Sequence, residues 1–187
     1  MRKNFGPQTA LYPMPVFIIG TYDENGVPNA MNAAWGGISE ENEISICVSA
    51  DHKTTHNFEK TGEFTVSVAD AKNVVAADYV GIVSGEDDAE KIKKAGWTPL
   101  KAENVNAPLF EELPFALECK MKSYDAKTCR LVGEIVNVSV DEKILGDDGE
   151  VDLDKFNPIT YDPIHHYYVA LGEKVGNAFS DGKMLDK

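Results

Sequence analysis

The stretch ISICVSADHKTTHNFEKTGEFTVSV, Ile44 to Val68, decides how the chain must be read. EISICVSA (Glu43 to Ala50) and EFTVSVA (Glu63 to Ala69) at its two ends read as strands, the second alternating apolar and polar residues with period two. Between them, Thr54 to Thr61 reads as a short helix. Thr54 is its N-cap candidate, Asn57 lies three positions on, Phe58 is the inward residue and Gly62 the C-terminal stop. The order is strand, loop, helix, strand.

Working outward, PVFIIGTY (from Pro15) and VPNAMNAAW (Val27 to Trp35) flank the turn residues DENG, Asp23 to Gly26, and form a hairpin. NVVAADYVGIVS, Asn73 to Ser84, reads as a second short helix. It leads into GEDDAEKIKKAGW, Gly85 to Trp97, whose charges make a solvated helical face. PFALECKMKSY and CRLVGEIVNVSV return to period two as long paired strands with a turn near DAKT. LGDDGEVDLDKFNP, Leu145 to Pro158, is a loop, and its Gly and Glu miss the offsets of an EF-hand, which excludes calcium of that kind. PIHHYYVALGEKVG, Pro163 to Gly176, supplies a last strand. Many short strands, few helices and no regular βαβ alternation give a mainly β chain, a barrel or sandwich with peripheral helices.

A chain of 187 residues suits one core, so residues 1–187 are read as a single domain. Acidic residues outnumber basic ones 31 to 18, and the resulting net charge of -13 repels nucleic acid and anionic membrane surfaces. No apolar h-region follows the two basic residues at the N-terminus, and no apolar run reaches the roughly 20 residues of a membrane span. Cys47, Cys119 and Cys129 are an odd number at wide spacing, which fits a reducing compartment. A cytoplasmic protein is expected, with Cys47 in ISICVS as a small core hydrophobe.

Within this acidic chain, His52, Lys53, Thr54 and Thr55 gather at a helix start, where unpaired N–H groups and the positive end of the dipole attract an anion. The plainer reading is that Thr54 only caps the helix. The standard nucleotide signatures are missing: no GxGxxG follows a strand, and GNAFSDGKM, Gly176 to Met184, misses a P-loop by one residue and by the Ser or Thr after its lysine. MNAAWGG, Met31 to Gly37, joins small residues to an aromatic and two glycines, which lets a flat ligand approach backbone amides. Its alternative is a barrel corner with Trp35 in the core.

Taken in order, NAMNAAWGG (29 to 37), residues 44 to 68 and PIHHYYVALGEKVGNAF near the C-terminus resemble the flavin reductase-like, FMN-binding split-barrel family, in particular its flavoredoxin-like branch. The segment K-T-x-x-N-F-x-x-T-G-E-F is the most specific part of the likeness. The resemblance implies a split β-barrel, a homodimer and FMN near the subunit interface. It places Lys53, Thr54 and Asn57 around the phosphate, helped by His52 and Thr55. Ala34, Trp35 and Gly36 would line the isoalloxazine, with Ser49 and Ala50 closing the other side. His52 stands where relatives carry a basic or small residue, and the loop has no arginine.

A flavin carries hydride and electron chemistry itself, so no acid–base pair is required, and none stands out. His52 and His56 are four apart but lack the HExxH glutamate and a third ligand, so no metal is expected. His165 and His166, read as neighbouring strand residues, face opposite sides; one of them could reach the flavin edge, but the preferred reading is a rim of strand residues packed at a dimer interface. Two functions stay open: an NAD(P)H-linked flavin reductase-like oxidoreductase, or an electron-transfer flavoprotein whose partner is a redox protein. A third is an FMN-binding module without catalysis.

Overall fold

The structure is a computed structural model describing residues 1–185. Its strands are β1 (Met14–Pro15), β2 (Phe17–Tyr22), β3 (Pro28–Ala33), β4 (Gly36–Glu40), β5 (Glu43–Cys47), β6 (Glu63–Val68), β7 (Pro99–Lys101), β8 (Pro108–Phe110), β9 (Phe115–Asp125), β10 (Arg130–Val140), β11 (Ile159–Asp162) and β12 (Tyr167–Ala170). Four α-helices accompany them: α1 (Lys53–Thr61), α2 (Val74–Ile82), α3 (Lys91–Lys94) and α4 (Leu153–Phe156). Seven strands form one antiparallel sheet in the order β3-β2-β6-β9-β10-β5-β4, with smaller sheets β1-β11-β12 and β7-β8 beside it.

Period two builds the core. On β2, Phe17 and Ile19 enter one apolar cluster with Ile44, Ile46, Phe58, Phe64 and Leu131. Ile18, next to them, enters the other with Val16, Val80, Trp97 and Phe110. Strands from the middle and one end of the seven-stranded sheet thus converge on a single cluster, which requires the sheet to curl. β9 and β10 shift register between Val132 and Gly133, a bulge of the kind that bends a strand. The DENG turn joins β2 to β3 as expected. Asp23 accepts the Gly26 N–H through its carbonyl and the Asn25 and Val27 N–H groups through its carboxylate, and Gly26 takes a left-handed φ of 77°.

α1 is seated by Phe58, fully buried between Phe64 and Tyr124. Gly62 ends the helix at φ 73°, its N–H returning to the Phe58 carbonyl, the geometry only glycine adopts without strain. The start differs from the sequence expectation. His52 occupies the N-cap and makes no side-chain cap, whereas Thr54 is buried inside the first turn.

Other differences have equally local causes. Because Ile44, Ile46 and Val48 point inward, Cys47 points outward and is exposed; the buried cysteine is Cys119. Trp35 is likewise exposed rather than core. The run Gly85 to Trp97 is not solvated throughout, since Lys91, Ile92 and Trp97 are buried. Leu145 to Pro158 contains the one-turn helix α4, capped by Asp152. Only Tyr167–Ala170 of the C-terminal segment is strand, and it pairs with β11, which had no strand expectation; His165 and His166 lie in the turn between the two.

Candidate functional site

The uncapped start of α1 opens on a cleft of about 200 Å³. One wall is His52, Lys53 and Thr54 with Asn29 and Met31 of β3; the other is the end of α2, the loop to Gly85, and Lys91. His56 N–H reaches back to the His52 carbonyl, so the three preceding backbone N–H groups lie before the first intrahelical bond. The Asn29 amide donates to the Thr54 hydroxyl at 2.8 Å, and Lys53 Nζ donates to the Gly85 carbonyl at 3.1 Å. The first bond knits one wall, and the second ties it to the other across the mouth of the cleft.

Lys91 was missed by sequence reading. It is 4% exposed, and among the described residues no carboxylate lines the cleft with it. Its neighbours are spent elsewhere: Lys93 pairs with Glu90 and Lys94 with Asp88. Burial, and then the positive charge of Lys53, push the Lys91 ammonium down to about 8. Lys53 and Lys91 thus line one cleft, in a chain of net charge -13, with no carboxylate among the described lining residues.

The other expected phosphate residues are spread over different faces of α1. The Thr55 hydroxyl, fully buried, donates to the Ser49 carbonyl at 2.7 Å. The Asn57 amide donates to the Thr21 hydroxyl at 3.0 Å. Both tie the helix to the fold. Ser49 and Ala50 lie exposed in the turn before α1, away from the cleft lining.

A second recess of about 350 Å³ adjoins the cleft, sharing Gly81 and Ile82 with it. Asn32, Ala34, Asp78, Tyr161, His166 and Tyr168 complete its lining. Tyr168 donates to Asp78 at 2.8 Å; burial and then that bond hold its phenol up at about 12. Tyr161 Oη lies 2.6 Å from His166 Nδ1. The paired histidines thus part ways: His166 lines the recess, while His165 bonds the Asp162 carboxylate at 2.7 Å and stacks on Tyr167. A third hollow of about 410 Å³ holds Ala34, Trp35 and Gly36 against the N-terminal strap, Gln8 to Pro15. The strap is fastened by Tyr12, which donates to Asp162.

Gly85 tests the cleft wall directly. A Cβ there would collide with Asn29 Oδ1 and press on Lys53 Cδ at 3.2 Å. Overpacking of this kind costs about 1–3 kcal/mol, so Gly85→Ala is expected to lower the melting temperature by roughly 3–10 °C. A calorimetric scan showing no change would mean that the wall yields freely.

The arrangement has close counterparts. A model of the flavin reductase like domain matches residues 9–167. Among solved structures, flavoredoxin of Desulfovibrio vulgaris (Miyazaki F) is 39% identical, with a TM-score of 0.93 over 98% of this chain and 100% of its own. Flavoredoxin from Methanosarcina acetivorans is 25% identical, with a TM-score of 0.85 over 99% and 98% of the two chains. The FMN-binding domain of a flavin reductases-like enzyme from Shewanella baltica OS155 shares the fold, with a TM-score of 0.78 at 19% identity over 87% and 88%. With the family model spanning most of its length and the split-barrel fold common to these structures, the chain belongs to the flavin reductase-like family.

Proposed function

We propose that the chain is an FMN-binding oxidoreductase that moves hydride or electrons from NAD(P)H through FMN to an acceptor. The observation that carries it is the cleft itself: an open helix N-terminus with Lys53 and Lys91, a set of donors suited to a phosphate. Lys53, Lys91, Thr54 and the first-turn N–H groups would hold that phosphate, with His52 at the rim. The backbone of Ala34, Trp35 and Gly36 would lie along the ring. When bound, the flavin supplies the redox chemistry. The residues of this chain then bind, orient and shield, and the Tyr161–His166 and Tyr168–Asp78 pairs give the neighbouring recess polar edges.

A second reading, an electron-transfer flavoprotein serving a redox protein, is favoured by the 39% identity to a flavoredoxin. In either case we take the chain to act as a single-domain homodimer in the cytoplasm. Among the described residues no helix is long and apolar enough to cross a membrane.

The deciding measurement is a visible absorption titration with FMN, followed by anaerobic NADH and then NADPH. Stoichiometric binding with rapid bleaching supports the reductase. Binding without bleaching by either nucleotide moves the assignment to the carrier, and absence of binding removes the flavin reading altogether.

A further inference from the structure

We propose that His166, oriented by Tyr161, is the proton donor to a flat, neutral acceptor ending in a carbonyl oxygen, such as a quinone, seated in the recess beside the cleft. This rests on the proposed cofactor lying along Ala34, which lines the recess, and it selects a small acceptor over a redox protein.

The backbone places His166. It closes the turn between β11 and β12, its N–H returning to the Asp162 carbonyl at 2.9 Å with a left-handed φ of 60°. Its neighbour His165 is turned to the Asp162 carboxylate and to Tyr167, so only His166 of the pair lines the recess.

Hydrogen bonding then leaves one ring nitrogen free. Tyr161 Oη lies 2.6 Å from Nδ1. A neutral imidazole that accepts there carries its proton on Nε2, and an imidazolium that donates there keeps an Nε2 proton as well. In both states Nε2 is a donor, and among the described residues it has no partner. The side chain is exposed, so water can restore its proton.

The other polar groups of the recess do not supply one. Tyr168 of β12 donates to Asp78 of α2, and its phenol, held up at about 12, keeps its proton. The Asn32 amide is spent on the Ala77 carbonyl at 3.0 Å and on Tyr168 Oη at 3.4 Å. In the turn itself, Asp162 is engaged by Tyr12 and His165. The charge of Asp78 repels an anionic acceptor, which leaves neutral ones. Tyr161 and Tyr168, with ring centroids 6.0 Å apart, suit a flat one, and about 350 Å³ lies within the roughly 300–1,000 Å³ of small-molecule sites.

When reduced, the cofactor supplies a hydride, two electrons and one proton, to one end of the conjugated acceptor. The carbonyl oxygen at the other end needs a second proton. The His166 N–H bond breaks as that O–H bond forms, the reduced acceptor leaves, and the ring is reprotonated by water.

The test compares two acceptors on the reduced, FMN-loaded full chain without oxygen: duroquinone, which takes up protons, and ferricyanide, which takes an electron and no proton. The variant is His166→Asn, because asparagine tolerates a left-handed backbone and carries no titratable proton. Duroquinone reduction should fall about 30-fold or more, while ferricyanide reduction stays within twofold. In the parent, the duroquinone rate should fall about tenfold per pH unit above the His166 titration followed by nitrogen NMR, with ferricyanide level. Tyr161→Phe should move the NMR titration and the rate profile together, whereas His165→Asn should leave both in place. In flavin-free protein, duroquinone should shift the His166 ring signals. Thermal melts confirm that the variants fold.

Equal losses with both acceptors, a duroquinone rate within threefold in His166→Asn, or a rate that ignores the NMR titration overturns the proposal. If FMN does not bind but duroquinone still shifts His166, the flavin reading falls and the recess remains a carbonyl site. If FMN binds and duroquinone reduction is indifferent to His166, the flavin reading stands and this proposal is wrong. If neither binds, both are wrong.

Discussion

Replacing Lys53 by methionine is expected to weaken FMN binding by about 100-fold while moving the melting temperature by no more than about 2 °C. Lys53 leaves the first turn of α1, where it adds a full charge to the helix N-terminus, and it is half-buried, so water screens it only in part. A charge-assisted hydrogen bond to phosphate contributes about 1.5–3 kcal/mol, or ten- to 150-fold in affinity. The same ammonium also holds the Gly85 carbonyl, so its loss loosens the far wall of the cleft and takes the effect to the upper part of that range. Stability should change little, because the methionine stem keeps the apolar contacts of the lysine and no acidic partner is orphaned. Flavin fluorescence quenching measures the affinity and a thermal scan the stability. A loss under threefold would show that the phosphate lies elsewhere.

The second large effect is on folding. Phe58→Ala is expected to cost about 3–5 kcal/mol and to lower the melting temperature by roughly 10 °C. Phe58 is fully buried, and its ring centroid lies 6.1 Å from that of Phe64 and 5.2 Å from that of Tyr124. It is the one large apolar side chain that α1 contributes to the core; the helix's other buried side chains are threonines and an asparagine, tied by hydrogen bonds. Removing it leaves a cavity that Gly133 and the crossing strands cannot fill, because Gly133 already packs against the Phe64 ring. FMN affinity should fall with it, since the same helix carries Lys53 and Thr54. Urea denaturation gives the free energy; a cost below about 1 kcal/mol would mean that α1 is docked by its polar contacts instead.

These two substitutions divide α1 between what alternation and local chemistry make legible and what they do not. Phe58 could be read as the inward residue because it stands alone among polar neighbours, and Gly62 as the stop because a left-handed residue must close the last turn. Lys53 could be placed at a helix start, the end of a helix where an anion is favoured, and in the fold it lines the cleft there. Thr55 and Asn57 stand in the same short segment and carry the same kind of polar group, yet they face Ser49 and Thr21. Nothing local distinguishes a donor that meets a ligand from one that meets the neighbouring strand.

The opposite error is Lys91. In sequence it belongs to a run of charges, and a solvated face is the natural reading of such a run. In the fold, α3 is a single turn wedged by Ile92, and Trp97 is buried just beyond its end, so one of the three lysines of the helix points inward. Cys47 failed for a simpler reason. Hydrophobicity favours the core for a cysteine, but in β5 its parity is opposite to that of Ile44 and Ile46, and parity sends it outward.

What the sequence by itself determined is therefore what nearest neighbours control: the strands by period two, the first hairpin by DENG, the helix between two strands, and a basic patch at its start in an acidic chain. Only the tertiary structure decided which side chains share a space. Asn29, Lys53, Gly85 and Lys91 lie up to 62 positions apart, and they meet because β3, α1 and the segment after α2 pack against one another. Such a meeting depends on the curl of a sheet and the docking of helices, which sum the packing of the whole core rather than the preferences of any one segment.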